Sequence, residues 1–195
     1  LVSDAGMPTI SDPGFLLVRA CAEAGVEVQV VPGPSAVVSA LAVSGLPTDR
    51  FSFEGFLPRK SGERIRVFEA LATEKRTMVF FEAPHRIKDS LDDACKVFGP
   101  TRLASVSREL TKKFEETKRG ALLDLASWSE KGPKGEMVLV IAGASDADLD
   151  YLALGLEALA LAGTGIGLKQ ASAEVADKHG ASKSVIYQHA LASKA

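Results

Sequence analysis

The amino-acid sequence predicts an α/β protein built as two α/β units and a small helical tail. Three features predict it. Runs rich in β-branched and aromatic residues, at 26–31, 77–81, 102–107 and 137–141, alternate with stretches of helical spacing. Glycine- and proline-bearing loops join runs of the first kind to stretches of the second, and over residues 1–50 the order β-loop-α-β-loop-α implies parallel strands. Beyond residue 145 strand formers fade, and Ala, Leu and Lys dominate. The expected divisions are 1–50, 51–145 and 146–195.

The first unit opens on Leu1-Val2, which reads as the end of a strand. A strand cannot stand alone, so an earlier part of the same sheet is expected upstream. The loop that follows carries Asp4, Gly6, Pro8, Asp12, Pro13 and Gly14. Asp12-Pro13 reads as an N-cap and then proline at the first helical position, ahead of a helix over 16–24. Residues 26–31 are expected as a strand, and Pro32-Gly33-Pro34 as a turn. Ser35 then caps a helix of small residues, 36–44, which stops at Gly45-Leu46-Pro47.

The second unit starts with a short strand or linker at 51–58 and a basic loop and helix start at 59–66. Residues 77–81 are apolar without a break, as in a strand covered on both faces. A loop at 82–86 leads to a helix ending near residue 98. A strand at 102–107, a loop at 108–113, a short strand at 114–118, a helix at 121–130 and an apolar strand at 137–141 complete the unit. Tail helices are expected at 152–162, 169–179 and 183–191. The last two, around Gly180-Ala181-Ser182, fit a helix-turn-helix pattern, with a simple packed tail as the alternative. Leu154, Leu156 and Leu159 need a surface to pack on.

Composition bounds the function. With 46% hydrophobic and 25% charged residues, the chain is expected to be globular rather than disordered. A net charge of −2 excludes a uniformly basic surface and leaves room for local basic patches. Cys21 and Cys95 sit in expected helices among apolar neighbours and read as two buried thiols. Three His and no Cys-x-x-Cys argue against a structural zinc site. No apolar run reaches the roughly 20 residues of a membrane span, and no signal-peptide pattern is present. The expected compartment is the cytoplasm.

Several motifs then fall in order: Ser3-Asp-Ala-Gly-Met-Pro8 with Ser11-Asp-Pro-Gly14, Pro32-Gly-Pro-Ser-Ala36, Gly45-Leu-Pro47, Glu54-Gly-Phe-Leu-Pro58, Phe80-Phe-Glu-Ala-Pro-His-Arg86, Arg108-Glu-Leu-Thr-Lys112 and Gly135-Glu-Met-Val-Leu-Val140. Together they resemble the tetrapyrrole methylase superfamily from residue 1 to about residue 143. Within it, they are similar to the branch that methylates the ribose 2′-hydroxyl of a cytidine in small-subunit ribosomal RNA. The resemblance implies two α/β sandwich units of the tetrapyrrole methylase type, the first lacking the family's opening proline- and glycine-containing loop. It also implies S-adenosylmethionine as cofactor, held in a cleft between the units, and a homodimer. Asp4 and Met7 would then lie beside the cofactor. Ser35 and Ala36 would offer hydroxyl and backbone donors at a helix start, and Glu82, Leu110 and Met137 would line the adenosine pocket. The plain alternatives are a helix cap for Ser35 and core positions for Leu110 and Met137.

The implied reaction moves a methyl group from a sulfonium to a sugar oxygen. Holding the two in line supplies roughly 7–11 kcal/mol of the barrier in favourable cases. The 2′-hydroxyl must also lose its proton, which calls for a base within hydrogen-bond reach. Glu82, His85, Glu109 and Lys112 are the candidates, and the choice falls on Glu109 and Lys112 jointly. Lys112 serves as a base only if its pKa is lowered, for instance by burial or by nearby cations such as Arg108 and Lys113. RNA further requires phosphate neutralisation. Arg59, Lys60, Arg64 and Arg66 form one basic cluster, and Arg86, Arg108, Lys112, Lys113, Lys118 and Arg119 a second. Of these, Arg59, Lys60, Arg86, Arg108, Lys112 and Lys113 are the expected RNA-binding set; Lys169, Lys178, Lys183, Tyr187 and His189 of the tail add further candidates. Two other readings stand beside this one: a superfamily methylase acting on a tetrapyrrole or another small molecule, and a non-catalytic nucleic-acid-binding module built around the tail.

Overall fold

A computed structural model of the chain describes residues 6–145 and 149–194, the last of these by its backbone alone. The α/β class is confirmed. Helices α1 (Phe15–Glu23) and α2 (Ala36–Ser44) precede β1 (Phe51–Phe56), α3 (Ser61–Ala70), β2 (Thr77–Glu82), α4 (Ile87–Phe98), β3 (Leu103–Arg108), β4 (Glu116–Ala121), α5 (Leu122–Ser129) and β5 (Met137–Ile141). Three helices, α6 (Tyr151–Ala162), α7 (Leu168–His179) and α8 (Lys183–Lys194), end the chain. The described residues form two compact units. One holds those up to Ala72 together with Arg76–Ala142; the other holds Thr73–Lys75 and those from Gly143 onward.

The first unit is built on one sheet with strand order β1-β2-β5-β3-β4. β1 and β2 are parallel, and β5 runs antiparallel between β2 and β3. The period of two along the strands separates two cores. Met78, Phe80, Val106, Met137, Leu139 and Ile141 face α3, α4 and α5, where Phe68, Leu91 and Leu125 are buried. Val79, Val138 and Val140 face the opposite side and meet Val37, Ala40 and Leu41 of α2. The small buried residues Ser105 and Ser107 of β3 leave room for α2 on that face.

The helix 36–44 forms where the sequence places it. Ser35 Oγ accepts from the Val38 amide, and Gly45 closes the helix in a left-handed conformation, φ +76°. In the second unit, Leu154, Ala158, Val175, Ile186 and Ala190 make a separate small core. α7, the turn at Gly180–Ser182 and α8 realise the helix-turn-helix pattern. Of the three α6 leucines singled out from sequence, Leu154 is buried and Leu159 packs on that core, while Leu156 stays exposed.

Several expectations are corrected. Residues 26–31 form no strand, and Val26, Val28, Val30 and Val31 are exposed. A strand needs a neighbour to complete its hydrogen bonds, and among the described residues none lies alongside. The sheet of residues 51–141 is mixed, and the described residues up to 50 contribute no strand to it. α1 starts at Phe15, with no side-chain cap from Asp12, because Gly14 at φ +136° lies outside helical space. Both cysteines are free thiols, but neither is fully buried: Cys21 lies on α1, which buries no residue, and Cys95 packs at the edge of the larger core. The reading of Leu1-Val2 as a strand end lies outside the described residues.

Candidate functional site

Strands β1, β2 and β3 all finish at one end of the sheet, where β5 begins. Register places Glu82 beside Met137 and Met137 beside Arg108, so three sequence-predicted residues stand in a row across β2, β5 and β3. Loops beyond the carboxyl ends of strands are where open α/β sheets bind ligands. α2 brings its amino terminus to the same end. Leu110, just after β3, packs into the cluster that holds Val37 of the first turn of α2. The other end of the sheet is marked by Thr77, whose hydroxyl donates to the Pro47 carbonyl beyond α2. Ser35 and the exposed Ala36 therefore sit on the rim with Leu110.

Two more loops reach this end. The Gly33 amide lies 3.2 Å from Met7 Sδ, which joins the first loop to the turn preceding Ser35. Ser11 Oγ lies 3.9 Å from where a Cβ on Gly55 of β1 would stand. Phe81 contacts Phe53 and Phe56 edge-on, at centroid distances of 4.8 and 5.3 Å, and packs on the same cluster as Leu110. This aromatic wall was not among the residues singled out from sequence. Alternation along 77–82 was the available signal, because it puts Phe80 and Phe81 on opposite faces.

The charged residues divide into anchors and rim groups. Glu82 is buried, and its carboxylate accepts from the Ala83 amide at 2.7 Å and the Ser90 hydroxyl at 2.6 Å, and pairs with Arg86. These contacts order the loop after β2. Arg86 Nε is buried without a partner among the described residues. Met137 is also buried, its side chain in the larger core, on the sheet face away from α2.

Glu109 and Glu136 frame the rim. Lys112 Nζ is 2.8 Å from Glu136 Oε2 and 3.2 Å from Glu109 Oε1. Hydrogen bonds to Glu136 and then Glu109 hold the Lys112 ammonium above the usual lysine range. Two carboxylates raise its pKa and only a smaller effect of burial opposes them, the opposite direction from the one a lysine base requires. Glu109 sits at φ +50°, and its Oε1 also accepts from the Glu136 amide at 3.3 Å. Arg108 Nε donates to Glu116 at 2.7 Å and its Nη1 to the Lys134 carbonyl at 3.3 Å. Neither Glu136 nor Glu116 was singled out by sequence.

Two basic residues leave the expected clusters. Arg64 is buried; it donates to Asp93 at 3.0 and 2.5 Å and to the Pro58 carbonyl at 3.2 Å, so it ties α3 to α4. Arg119 donates to the Val43 carbonyl at 2.8 Å and anchors the end of α2. Arg59 and Lys60 are exposed on the loop after β1, at the rim. Asp4 lies outside the described residues. Among the described residues no group of three or more His, Cys, Asp or Glu could hold a metal ion, and no helix is long and apolar enough to cross a membrane.

Comparison with known proteins adds to this geometry. Residues 1–126 match the tetrapyrrole (corrin/porphyrin) methylases, and residues 153–194 match the RsmI C-terminal HTH domain. The chain is 45% identical over 194 residues to ribosomal RNA small subunit methyltransferase I of Escherichia coli O157:H7, covering 98% of this chain and 68% of that protein. It is 50% identical over 180 residues to the protein of the same name from Mycobacterium tuberculosis (strain CDC 1551 / Oshkosh), covering 92% of this chain and 62% of that one. Among solved structures, the methyltransferase CobJ shares the fold, with a TM-score of 0.54 at 20% identity over 71% of this chain and 62% of that one.

Proposed function

Because the chain belongs to the tetrapyrrole methylase family, we propose that it transfers a methyl group from S-adenosylmethionine to small-subunit ribosomal RNA, at the ribose 2′-hydroxyl of a cytidine. One observation carries the reading. Three segments distant in sequence, bearing Met7, Ser35 and the group Glu109, Leu110 and Lys112, gather at the carboxyl end of one sheet in a chain similar to proteins named for ribosomal RNA methylation.

The residues at this end fit the cofactor's chemistry. The first amides of α2 have no intrahelical acceptors, which suits a carboxylate or a ribose hydroxyl. Phe56, Phe81 and Leu110 supply apolar surface of the kind an adenine ring packs on. Met7, Ser35, Ala36 and Leu110 would hold the cofactor. Glu82 and Met137 support the site through the strand ends they anchor. When bound, S-adenosylmethionine supplies a methyl group made electrophilic by its sulfonium.

This chain's own residues then position the sugar and move the proton. Glu109 accepts the 2′-hydroxyl proton on its carboxylate. Lys112 remains charged; with Lys113, Arg59 and Lys60 it draws phosphates to the rim. Arg86 and Arg108, each held by a glutamate, keep the flanking loops in place and add to the positive potential. The proposal includes a homodimer in the cytoplasm. The test is transfer of labelled methyl to small-subunit ribosomal RNA lacking the modification, followed by digestion to nucleosides. Label in 2′-O-methylcytidine is the expected result. Label on a base, or only in a small tetrapyrrole-like acceptor, replaces the reading.

A further inference from the structure

The loop between β3 and β4 carries Lys112-Lys113-Phe114, and Phe114 is 64% exposed. The loop is braced from within. The Thr111 amide donates to Glu115 Oε2 at 2.6 Å, the Glu115 amide to the Lys112 carbonyl at 3.1 Å, and the Lys112 amide to the Glu109 carbonyl at 2.9 Å. Its cations are mostly committed. Arg108 and Lys118 pair with Glu116, and Lys112 pairs with Glu136 and Glu109. Lys113 differs: among the described residues no carboxylate lies within ion-pair distance of it, and its Nζ stands 5.6 Å from the Phe114 ring centroid.

We propose that Phe114 is a stacking platform for an unpaired RNA base, with Lys113 meeting the adjoining phosphate. The inference rests on RNA being the substrate and deepens that reading. An aromatic ring on a braced loop loses little freedom when a base settles on it. Sequence-tolerant recognition of single strands combines such rings with cations that follow the backbone. A ribose presented for reaction must belong to a nucleotide that can be splayed from its helix, and unstacked bases find new partners on aromatic side chains. Lys113 beside the ring and Lys112 next to it in the chain provide charge complementary to phosphate. The loop lies at the same sheet end as Glu109, so a base held there keeps its strand near the proposed base.

The test is titration of the full chain with a single-stranded oligonucleotide from small-subunit ribosomal RNA and with its duplex form. Phe114→Leu keeps apolar bulk and removes the ring. It is expected to weaken single-strand binding about 5- to 100-fold with an unchanged melting temperature. Phe114→Trp is expected to retain affinity, with its fluorescence quenched as RNA binds. Unchanged single-strand affinity in Phe114→Leu overturns the proposal. So does a change of oligomeric state in that variant without loss of RNA affinity, which would make the ring a contact between copies of the chain. The methyl-transfer assay separates this from the broader reading. Transfer by the wild type with no effect of Phe114→Leu removes only the platform. Absence of transfer to RNA, alongside a clear Phe114 effect on binding, removes only the methylase reading.

Discussion

Replacing Gly135 by alanine disturbs the loop before β5 at a residue that need not touch substrate. Gly135 sits at φ +95°, and a Cβ there would lie 2.5 Å from Glu109 Cδ and nearer still to its Cγ and Oε1. Alanine held at positive φ costs about 1–2 kcal/mol. The overlap also drives the Glu109 carboxylate away from Lys112 and from the Glu136 amide, an overpacking cost of about 1 kcal/mol where the side chain can give way. Gly132 is the matched control. It lies in the same connection at φ +65°, with nothing within 4 Å of its would-be Cβ, so Gly132→Ala carries the first cost alone. Gly135→Ala should therefore melt roughly 2–4 °C below Gly132→Ala. If Glu109 is the base, single-turnover methyl transfer should fall by about 10²–10⁴ in Gly135→Ala and stay near wild type in Gly132→Ala. Equal transfer rates in the two variants would refute the role given to Glu109.

Three further outcomes are expected. Asp93→Asn leaves the buried Arg64 guanidinium without its carboxylate, and denaturant unfolding should show a loss of about 3–5 kcal/mol; a loss within experimental error of zero contradicts the pairing. The hydrogen bond from Arg108 holds the Glu116 carboxyl below its ordinary value of 4.5, against a smaller opposing effect of burial. That contribution is present above the ordinary value and lost as pH falls through the lowered one, so Glu116→Gln should flatten the acid limb of stability, and an unaltered limb counts against it. In the tail, a Cβ on Gly155 would meet Ala190 N at 2.9 Å and His189 C at 3.0 Å. Gly155→Ala should cost about 1–3 kcal/mol, read as faster hydrogen exchange in α6 and α8 with exchange in the sheet unchanged.

Much of the fold is legible wherever a local signal suffices. Ser35 and Gly45 bracket α2, and the unbroken apolar run at Met137–Ile141 marks an interior strand, as the structure finds. Residues 26–31 carry an equally good strand pattern, but a pattern cannot supply a neighbour to bond with. Arg64 reads as one more cation in a basic run because its burial depends on Asp93, 29 residues later. The raised pKa of Lys112 likewise depends first on Glu136, 24 residues away, which no local spacing connects to it. The side of the sheet that Met137 faces follows from strand register. The resemblance named it as a pocket residue, and the structure puts its side chain in the core.

The most direct test of the account is a crystal structure of the full chain with S-adenosylhomocysteine. Density for the ligand at the carboxyl end of β1, β2 and β3, in contact with Met7, Ser35 and Leu110, is the expected result. Ligand bound elsewhere on the chain, or bound without touching any of these three, would contradict it.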